Sequence, residues 1–389
     1  MNTKNIYFYD KSQVLLDRYP ALIANEINRI ESKSNNKYNF IFIFSEYFES
    51  YDTAKITPIN SNIHYIPYLN INSLNKLTKK HPPHAFICIG LRIPDILLIS
   101  YFKKLKVKTY MVQHGLFIKH LTRISFLKHF ASKFNHFMKY FIYSYHLAKL
   151  NQKPFLLVLN DMFTFFIKGK GKFIDLHSAK EVNLISDKVF AFDRNWDDYY
   201  HNYGYSHNQF LYFGNPDYSL ANEMLNNHIE DSICYICQSL VEDGRYLKND
   251  YLDFLKDLRD NLSGRKVYLK LHPRSDLKLY ESFENENFIL TRDLKNCNTY
   301  MGHYSSIIEV LYQLGRNNIL WDLKNHPIPK SYIKYSDYFT NSFSDLKRYL
   351  EHDIRTEFTI KTEMKEFLDT DCKPYLNIAN HIVSDIDSS

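Results

Sequence analysis

Ile233-Cys234-Tyr235-Ile236-Cys237 runs directly into Gln238-Ser239-Leu240-Val241-Glu242-Asp243-Gly244, and this junction decides how the chain is read. Five apolar residues in succession, with no polar residue alternating between them, describe a strand buried on both faces. That is the habit of a parallel sheet covered by helices. Two carboxylates and a glycine follow at once, so the strand ends in a charged turn.

The same pattern recurs on either side. Downstream lie Val267-Tyr268-Leu269-Lys270-Leu271, Phe288-Ile289-Leu290, Thr299-Tyr300-Met301 and Asn318-Ile319-Leu320-Trp321. Upstream lie Phe40-Ile41-Phe42-Ile43-Phe44, Ala85-Phe86-Ile87-Cys88-Ile89, Thr109-Tyr110-Met111-Val112, Val189-Phe190-Ala191-Phe192 and Phe210-Leu211-Tyr212-Phe213. Short apolar strands separated by helical segments predict a doubly wound α/β architecture. The chain has 389 residues, more than one core comfortably serves, and the pattern restarts after Gly214-Asn215-Pro216-Asp217. Two Rossmann-like domains are therefore expected, 1–222 and 223–389, facing each other across a cleft. From Ser344 onward the chain reads as helices, at 345–352, 362–368 and 375–386, with no further strand.

Composition narrows the function classes. Hydrophobic residues at 45% and charged residues at 24% describe a globular chain and exclude disordered or fibrous designs. Only 10 glycines occur, which leaves no glycine-rich dinucleotide fingerprint, so a phosphate site must use other groups. The 16% of aromatic residues, beside abundant Asn, Lys and Ile, reads first as the imprint of an AT-rich bacterial genome and only second as carbohydrate stacking. The segment from Met1 to Asp10 lacks the pattern of a signal peptide, and no apolar run approaches the ~18 residues that cross a bilayer, so the expected location is the cytoplasm. The 5 cysteines are scattered and odd in number, which argues against a disulfide framework. Cys234 and Cys237 form a CxxC inside an apolar run with no second pair, so they read as buried strand residues rather than zinc ligands.

The net charge of +6 is unevenly placed, because Ile96 to Asn160 holds eleven Lys and Arg and no Asp or Glu. Within that block Ile124, Leu127, Phe130, Phe134, Phe137, Phe141 and Tyr145 recur at three- and four-residue steps, with Lys128 and Lys139 on the other side, predicting a helix over about 119–149. A basic helix with an aromatic face reads either as a peripheral anchor on an anionic inner membrane or as a core helix with a solvated basic rim. Nucleic acid is not expected as a partner, since no recognition motif accompanies the charge.

An α/β cleft places its chemistry at the carboxyl ends of strands. Glu242-Asp243-Gly244 stands at one such end, where a carboxylate can take a proton from an attacking hydroxyl. Lys270, His272, Pro273 and Arg274 stand at the next, an imidazole and two cations suited to a phosphate and to charge on a departing oxygen. Gly302-His303-Tyr304-Ser305-Ser306 stands at a third, followed by apolar residues at helical spacing; two serines at a helix start offer hydroxyls and unpaired N–H groups to an anion. Glu309, one turn in, either accepts ribose hydroxyls or faces solvent. Upstream, Gln113-His114-Gly115 follows the strand at 109–112 and either positions an acceptor or forms an ordinary loop.

Taken in order and spacing, Glu242-Asp243-Gly244, His272-Pro273 and Ser305-Ser306 resemble the three short motifs of bacterial sialyltransferases and polysialyltransferases. The resemblance covers roughly residues 233 to 315. It implies the GT-B fold, a CMP-activated donor of the sialic-acid class and no metal or other cofactor in the transfer step. It further implies Asp243 or Glu242 as the base, His272 assisting departure of CMP, Ser305 and Ser306 on the phosphate, and inversion at the anomeric centre. Gly244, Lys270, Pro273, Arg274 and Glu309 complete the expected donor site, and Gln113, His114 and Gly115 the acceptor site.

The Gln113-His114-Gly115 segment and the helix after Ser306 also look like capsule Kdo transferases and the CDP-glycerol polymerases of teichoic acid synthesis. The leading expectation is transfer of a nonulosonic acid, such as sialic, pseudaminic or legionaminic acid, to a glycan or lipid-linked glycan of the bacterial surface. The alternatives are a Kdo or glycerol-phosphate transferase and a non-catalytic binding partner in capsule assembly.

Overall fold

The structure is a computed structural model that describes residues 3–10, 16, 19–31, 37–45, 63–68, 71–113, 115, 141–168, 184–225, 228–242, 244–324, 326–370 and 373–388. The chain divides into two compact units, the first Met1–His114, Ala131–Pro216 and Lys373–Ser389, the second Gly115–Phe130 and Asp217–Cys372.

The first unit is built on seven described strands: β1 Thr3–Asp10, β2 Lys37–Ser45, β3 Ile63–Tyr68, β4 Pro83–Cys88, β5 Lys108–Val112, β6 Lys188–Ala191 and β7 Phe210–Tyr212. They lie in the order β3-β2-β1-β4-β5-β6-β7, and every pairing is parallel. Helices such as Tyr19–Glu31 and Ile93–Lys104 make the crossovers.

The second unit carries six described strands: β8 Glu230–Ile236, β9 Val267–Lys270, β10 Phe288–Thr291, β11 Cys297–Gly302, β12 Asn317–Trp321 and β13 Tyr338–Thr340. Their order is β10-β9-β8-β11-β12-β13, again all parallel. Separate apolar clusters fill the two faces of this sheet, one around Tyr235, Leu255 and Leu269, the other around Tyr300, Ile308 and Leu320. That two-sided burial is what the unbroken apolar runs required.

Each run singled out in the sequence falls on one of these strands. The strands that sequence reading passed over are β1, β3 and β13. β1 opens with Thr3, Lys4 and Asn5 and then alternates tyrosine with apolar residues, which hides a fully buried strand; the Tyr7 hydroxyl satisfies itself by donating to the His81 carbonyl at 2.6 Å. β3 contains Pro67, which a sheet tolerates because β3 is an edge strand.

The domain division differs from 1–222 and 223–389 at more than one point. The units part at Pro216 and Asp217, and the last helix, Pro374–Asp387, belongs to the first unit. Its apolar stripe, Ile378, Ala379, Ile382, Val383 and Ile386, is buried there, and its far end is tied by charge. Tyr110 donates to Asp385 at 2.7 Å, Lys108 stands 3.2 Å from the same carboxylate, and Lys4 bonds Asp387 at 2.8 Å.

The helix expected over 119–149 falls mostly on residues 116–140, which lie outside the described residues together with Ile124, Leu127, Lys128, Phe130, Phe134, Phe137 and Lys139. Phe141 and Tyr145 sit on a described helix at 141–151. Among the described residues no helix is long and apolar enough to cross a membrane.

Burial alone would raise the Asp385 carboxyl, but hydrogen bonds from Tyr110 and Lys108 hold it below its ordinary value. A depressed carboxylate stabilises the fold above its unfolded pKa and gives that up as pH falls through the folded value. Asp385→Asn should therefore cost about 1 kcal/mol at neutral pH, discounted for partial exposure. The difference from wild type should shrink in denaturant melts as pH falls below the ordinary carboxylate range.

Candidate functional site

In the second unit the chain works outward from β8 to β9 and β10, then returns to the other side of β8 for β11, β12 and β13. Connections leave β8 and β11 in opposite directions, which opens a crevice at their carboxyl ends. Gly302 closes β11 at that point. A methyl group there would stand 3.3 Å from Ile308 Cδ1, which would have to give way slightly, and 3.5 Å from the Ile236 carbonyl oxygen, an ordinary contact.

The loop after β8 contains Glu242 and Gly244; Asp243 lies outside the described residues. Gly244 adopts φ +64, a left-handed conformation that favours glycine, and its N–H donates to the Val241 carbonyl at 2.9 Å. Glu242 Oε1 accepts from the Tyr280 hydroxyl and the Asp276 N–H, each at 3.1 Å. Glu242 Oε2 is buried with no donor among the described residues.

The loop after β9 is fixed from both sides. Arg274 donates its backbone N–H to His272 Nδ1 at 3.1 Å and its guanidinium to Ser239 Oγ at 3.0 Å, joining this loop to the one after β8. Arg292, beyond β10, bonds the carbonyls of His272, Pro273 and Ser275 at 2.8 to 2.9 Å. Because Nδ1 of His272 accepts, the neutral ring carries its proton on Nε2, where it can be donated. Lys270 departs from expectation: it is 9% exposed, the last residue of a buried strand, rather than a surface cation beside Arg274.

At the end of β11 the two serines have different duties. Ser305 is the N-cap of the helix Ser306–Gln313; its hydroxyl accepts from the Ile307 N–H at 3.3 Å. Its backbone is clamped by buried Tyr332, whose hydroxyl accepts from the Ser305 N–H at 2.8 Å and donates to the Ser305 carbonyl. Ser306 makes no hydrogen bond through its hydroxyl to any described residue, and its N–H is among those a helix start leaves without an intrahelical acceptor. Glu309 is not solvent-facing: it is buried and accepts from the Tyr218 hydroxyl at 2.9 Å.

A buried aromatic and imidazole cluster adjoins Ser305. His303 Nδ1 pairs with the Trp321 carbonyl at 3.0 Å, His303 stacks on His326 at 4.9 Å, and His326 Nε2 pairs with the Tyr304 hydroxyl at 3.0 Å. Burial, with Arg245 nearby, lowers the His326 pKa, so this ring stays neutral at pH 7. Sequence reading missed Tyr280, Arg292, Tyr332 and this pair of histidines, whose partners are distant in the chain.

In the first unit Gln113 is buried, and its side chain accepts from the Phe192 N–H at 3.0 Å, locking the end of β5 to the end of β6. That use is structural rather than the acceptor contact expected. His114 lies outside the described residues, and Gly115 has φ +64. The unit's own switch point, between β1 and β4, carries a feature the sequence did not disclose. Arg92, 25% exposed, reaches Asp10 at 3.0 Å and Asp95 at 2.6 Å, with those two carboxylates 1% and 0% exposed.

No protein-family model matches the chain, and no curated protein matches it in sequence. Solved structures do match in fold. The wall teichoic acid polymerase TagF has a TM-score of 0.53 at 12% identity, covering 99% of this chain and 89% of its own. The Staphylococcus aureus MnaA–UDP co-structure scores 0.51 at 12% identity, covering 98% and 96%. UDP-GlcNAc 2-epimerase from Methanocaldococcus jannaschii scores 0.50 at 13% identity, covering 98% and 100%. With its two parallel doubly wound sheets, the chain has the GT-B fold.

The two serines should separate experimentally. Ser305→Ala removes a cap and should cost about 1 kcal/mol, a few degrees in melting temperature. Ser306→Ala should leave the melting temperature within about a degree while weakening a phosphate-bearing ligand roughly fivefold to tenfold by calorimetry.

Proposed function

We propose that this chain is an inverting glycosyltransferase that moves a nonulosonic acid from its CMP-activated donor to a glycan or lipid-linked glycan of the bacterial surface, with no metal in the transfer step. The observation that carries the reading is the convergence of the three sequence motifs. Neighbouring strands β9, β8 and β11 end side by side, and their loops hold His272-Pro273, Glu242 with Gly244, and Ser305-Ser306.

The role of Asp243 is the one the motif resemblance implies, and those of Glu242, His272 and Ser306 are consistent with the bonds they make. Asp243 takes the proton of the acceptor hydroxyl, whose oxygen attacks the anomeric carbon as the bond to the CMP phosphate oxygen breaks. Glu242, held by Tyr280 and Asp276, positions that turn against the loop of His272. The Nε2–H of His272 donates to the departing phosphate oxygen, Arg274 offsets its charge, and Ser306 holds a second oxygen at the helix start. Displacement from the opposite face inverts the centre.

Conservative amides distinguish the carboxylates. Gln at position 242 still accepts from Tyr280 and Asp276, so Glu242→Gln should keep activity within about tenfold, whereas Asp243→Asn should lose about 10²- to 10⁴-fold in kcat, the range of a lost general base. The reverse ranking would make Glu242 the base.

A second reading, transfer from a CDP-glycerol or CMP-Kdo donor, is favoured by the fold likeness to TagF, a structure solved after a soak with CDPG. A thermal-shift screen of CMP, CDP, UDP and GDP, with CDP-glycerol and CMP-activated nonulosonic acids and Kdo, separates the two. A saturating ligand at 100 times its Kd adds about 2.7 kcal/mol. Stabilisation by CMP-nonulosonic acids is the expected result. A preference for CDP-glycerol moves the assignment to the second reading, a preference for UDP retires both, and CMP binding without turnover on any acceptor would make the chain a binding partner.

A further inference from the structure

Two helices of the first unit, at 141–151 and Phe155–Lys168, form a hairpin whose outward face has the wrong polarity for water. The inner face of the first helix is conventional. Tyr143, Ser144, Leu147 and Ala148 are buried, and Asn151 accepts from the Ser100 hydroxyl at 2.9 Å, anchoring the hairpin to the helix Ile93–Lys104. The turn is tight: Gln152 has φ +54, and the Lys153 N–H returns to the Ala148 carbonyl at 3.0 Å.

On a surface helix the stripe opposite the core is ordinarily polar. Here it carries Phe141, Ile142 and Tyr145, 39%, 38% and 50% exposed, and the second helix adds Leu156 at 75%. Ring contacts join the two helices there, with Phe141 and Tyr145 at 5.0 and 6.3 Å from Phe155, the residue before Leu156. Contiguous exposed apolar surface of this kind marks an interaction site.

Charge selects the occupant. Lys149 continues the exposed stripe by one turn and Lys153 sits at the hairpin's tip, while the sequence offers no carboxylate between Ile96 and Asn160; Asp161, the first to follow, is buried. A second copy docking through the same face would oppose lysine to lysine across a twofold axis. An aromatic and aliphatic patch with Lys149 and Lys153 beside it matches an anionic bilayer, whose interface accepts amphipathic rings and whose headgroups attract lysine.

We infer that the hairpin of residues 141–168 docks this chain on an anionic lipid surface, with Phe141, Ile142, Tyr145 and Leu156 entering the interface and Lys149 and Lys153 pairing with headgroup phosphates. The inference stands apart from the donor reading, since it uses none of the residues of the second unit. It moves the contact from the aromatic face expected over 119–149 to its end and to the helix that follows.

Co-sedimentation of the full chain with vesicles tests it. Wild type should pellet with vesicles of phosphatidylcholine and about one-third phosphatidylglycerol, far less with phosphatidylcholine alone, and less as salt rises. Tyr145→Ser combined with Leu156→Ser should lower the partition coefficient at least ~tenfold. Lys149→Glu combined with Lys153→Glu should do so on anionic vesicles only. Both variants should stay folded, because Tyr145, Lys149 and Leu156 are exposed and Lys153 is half-buried. Equal binding to both vesicle types, or variants that bind as wild type does, would overturn the inference. A wild-type dimer that Leu156→Ser converts to monomer, without vesicle binding, would assign the face to a second copy instead.

Discussion

Where the strands of the second sheet stop, their backbone loses its ladder partners, and side chains from distant parts of the chain take over. Arg292 supplies three hydrogen bonds to carbonyls of the loop at His272, Tyr332 serves both backbone groups of Ser305, and Tyr246 donates to the Lys324 carbonyl at 2.6 Å. Buried or half-buried backbone groups demand such partners. The consequence is functional, because loops held in this way keep their chemistry-bearing side chains in place before any ligand arrives, which is what stabilising a transient charge requires.

That economy gives a physical account of why the motifs come in pairs. At the β11 end one member is engaged by the protein and the other keeps its hydroxyl uncommitted. Ser305 caps its helix and submits its backbone to Tyr332, which leaves Ser306 with the first uncommitted hydroxyl. Glu242 takes Tyr280 and the Asp276 N–H, so its neighbour Asp243 inherits the proton-transfer role in the proposed reaction. Within the single ring of His272 the same split holds, Nδ1 accepting from its own turn and Nε2 keeping the proton. Removing the architectural member disturbs the other's position, so single substitutions at the two members differ in what they change first, stability or affinity.

How much of this the sequence discloses depends on whether the cause is local. Unbroken apolar runs such as Phe40 to Phe44 reveal a two-sided parallel sheet, because no partially exposed strand can afford them. β1 escapes notice because tyrosine hides its burial behind a hydroxyl that finds the His81 carbonyl only in three dimensions. The stripe of the helix Pro374–Asp387 announces that a face is buried but not against which sheet; Tyr110 and Lys108 decide that, some 270 residues away by number. Lys270 and Glu309 mislead for a related reason. Charge in a strand end or a first helical turn suggests solvent or ligand, whereas the fold buries both side chains. Arg292 and the pairing of Asp10 with Arg92 carry no local signature, whereas Arg92 and Asp95 stand at the i, i+3 spacing of a helix start.

The two sheets share one topology and differ at the points where their strand order reverses. In the first, Arg92 lies between two carboxylates that are almost fully buried, and burial, which would cost the guanidinium its proton, is outweighed by Asp95 and Asp10. Such a group is internally compensated with a residual negative charge, and an incoming anion gains nothing from it. In the second, the corresponding edge offers a helix start with Ser306, together with His272 and the exposed Arg274. The sign and burial of a few charges at the switch point, rather than the sheet beneath them, thus set the two halves apart.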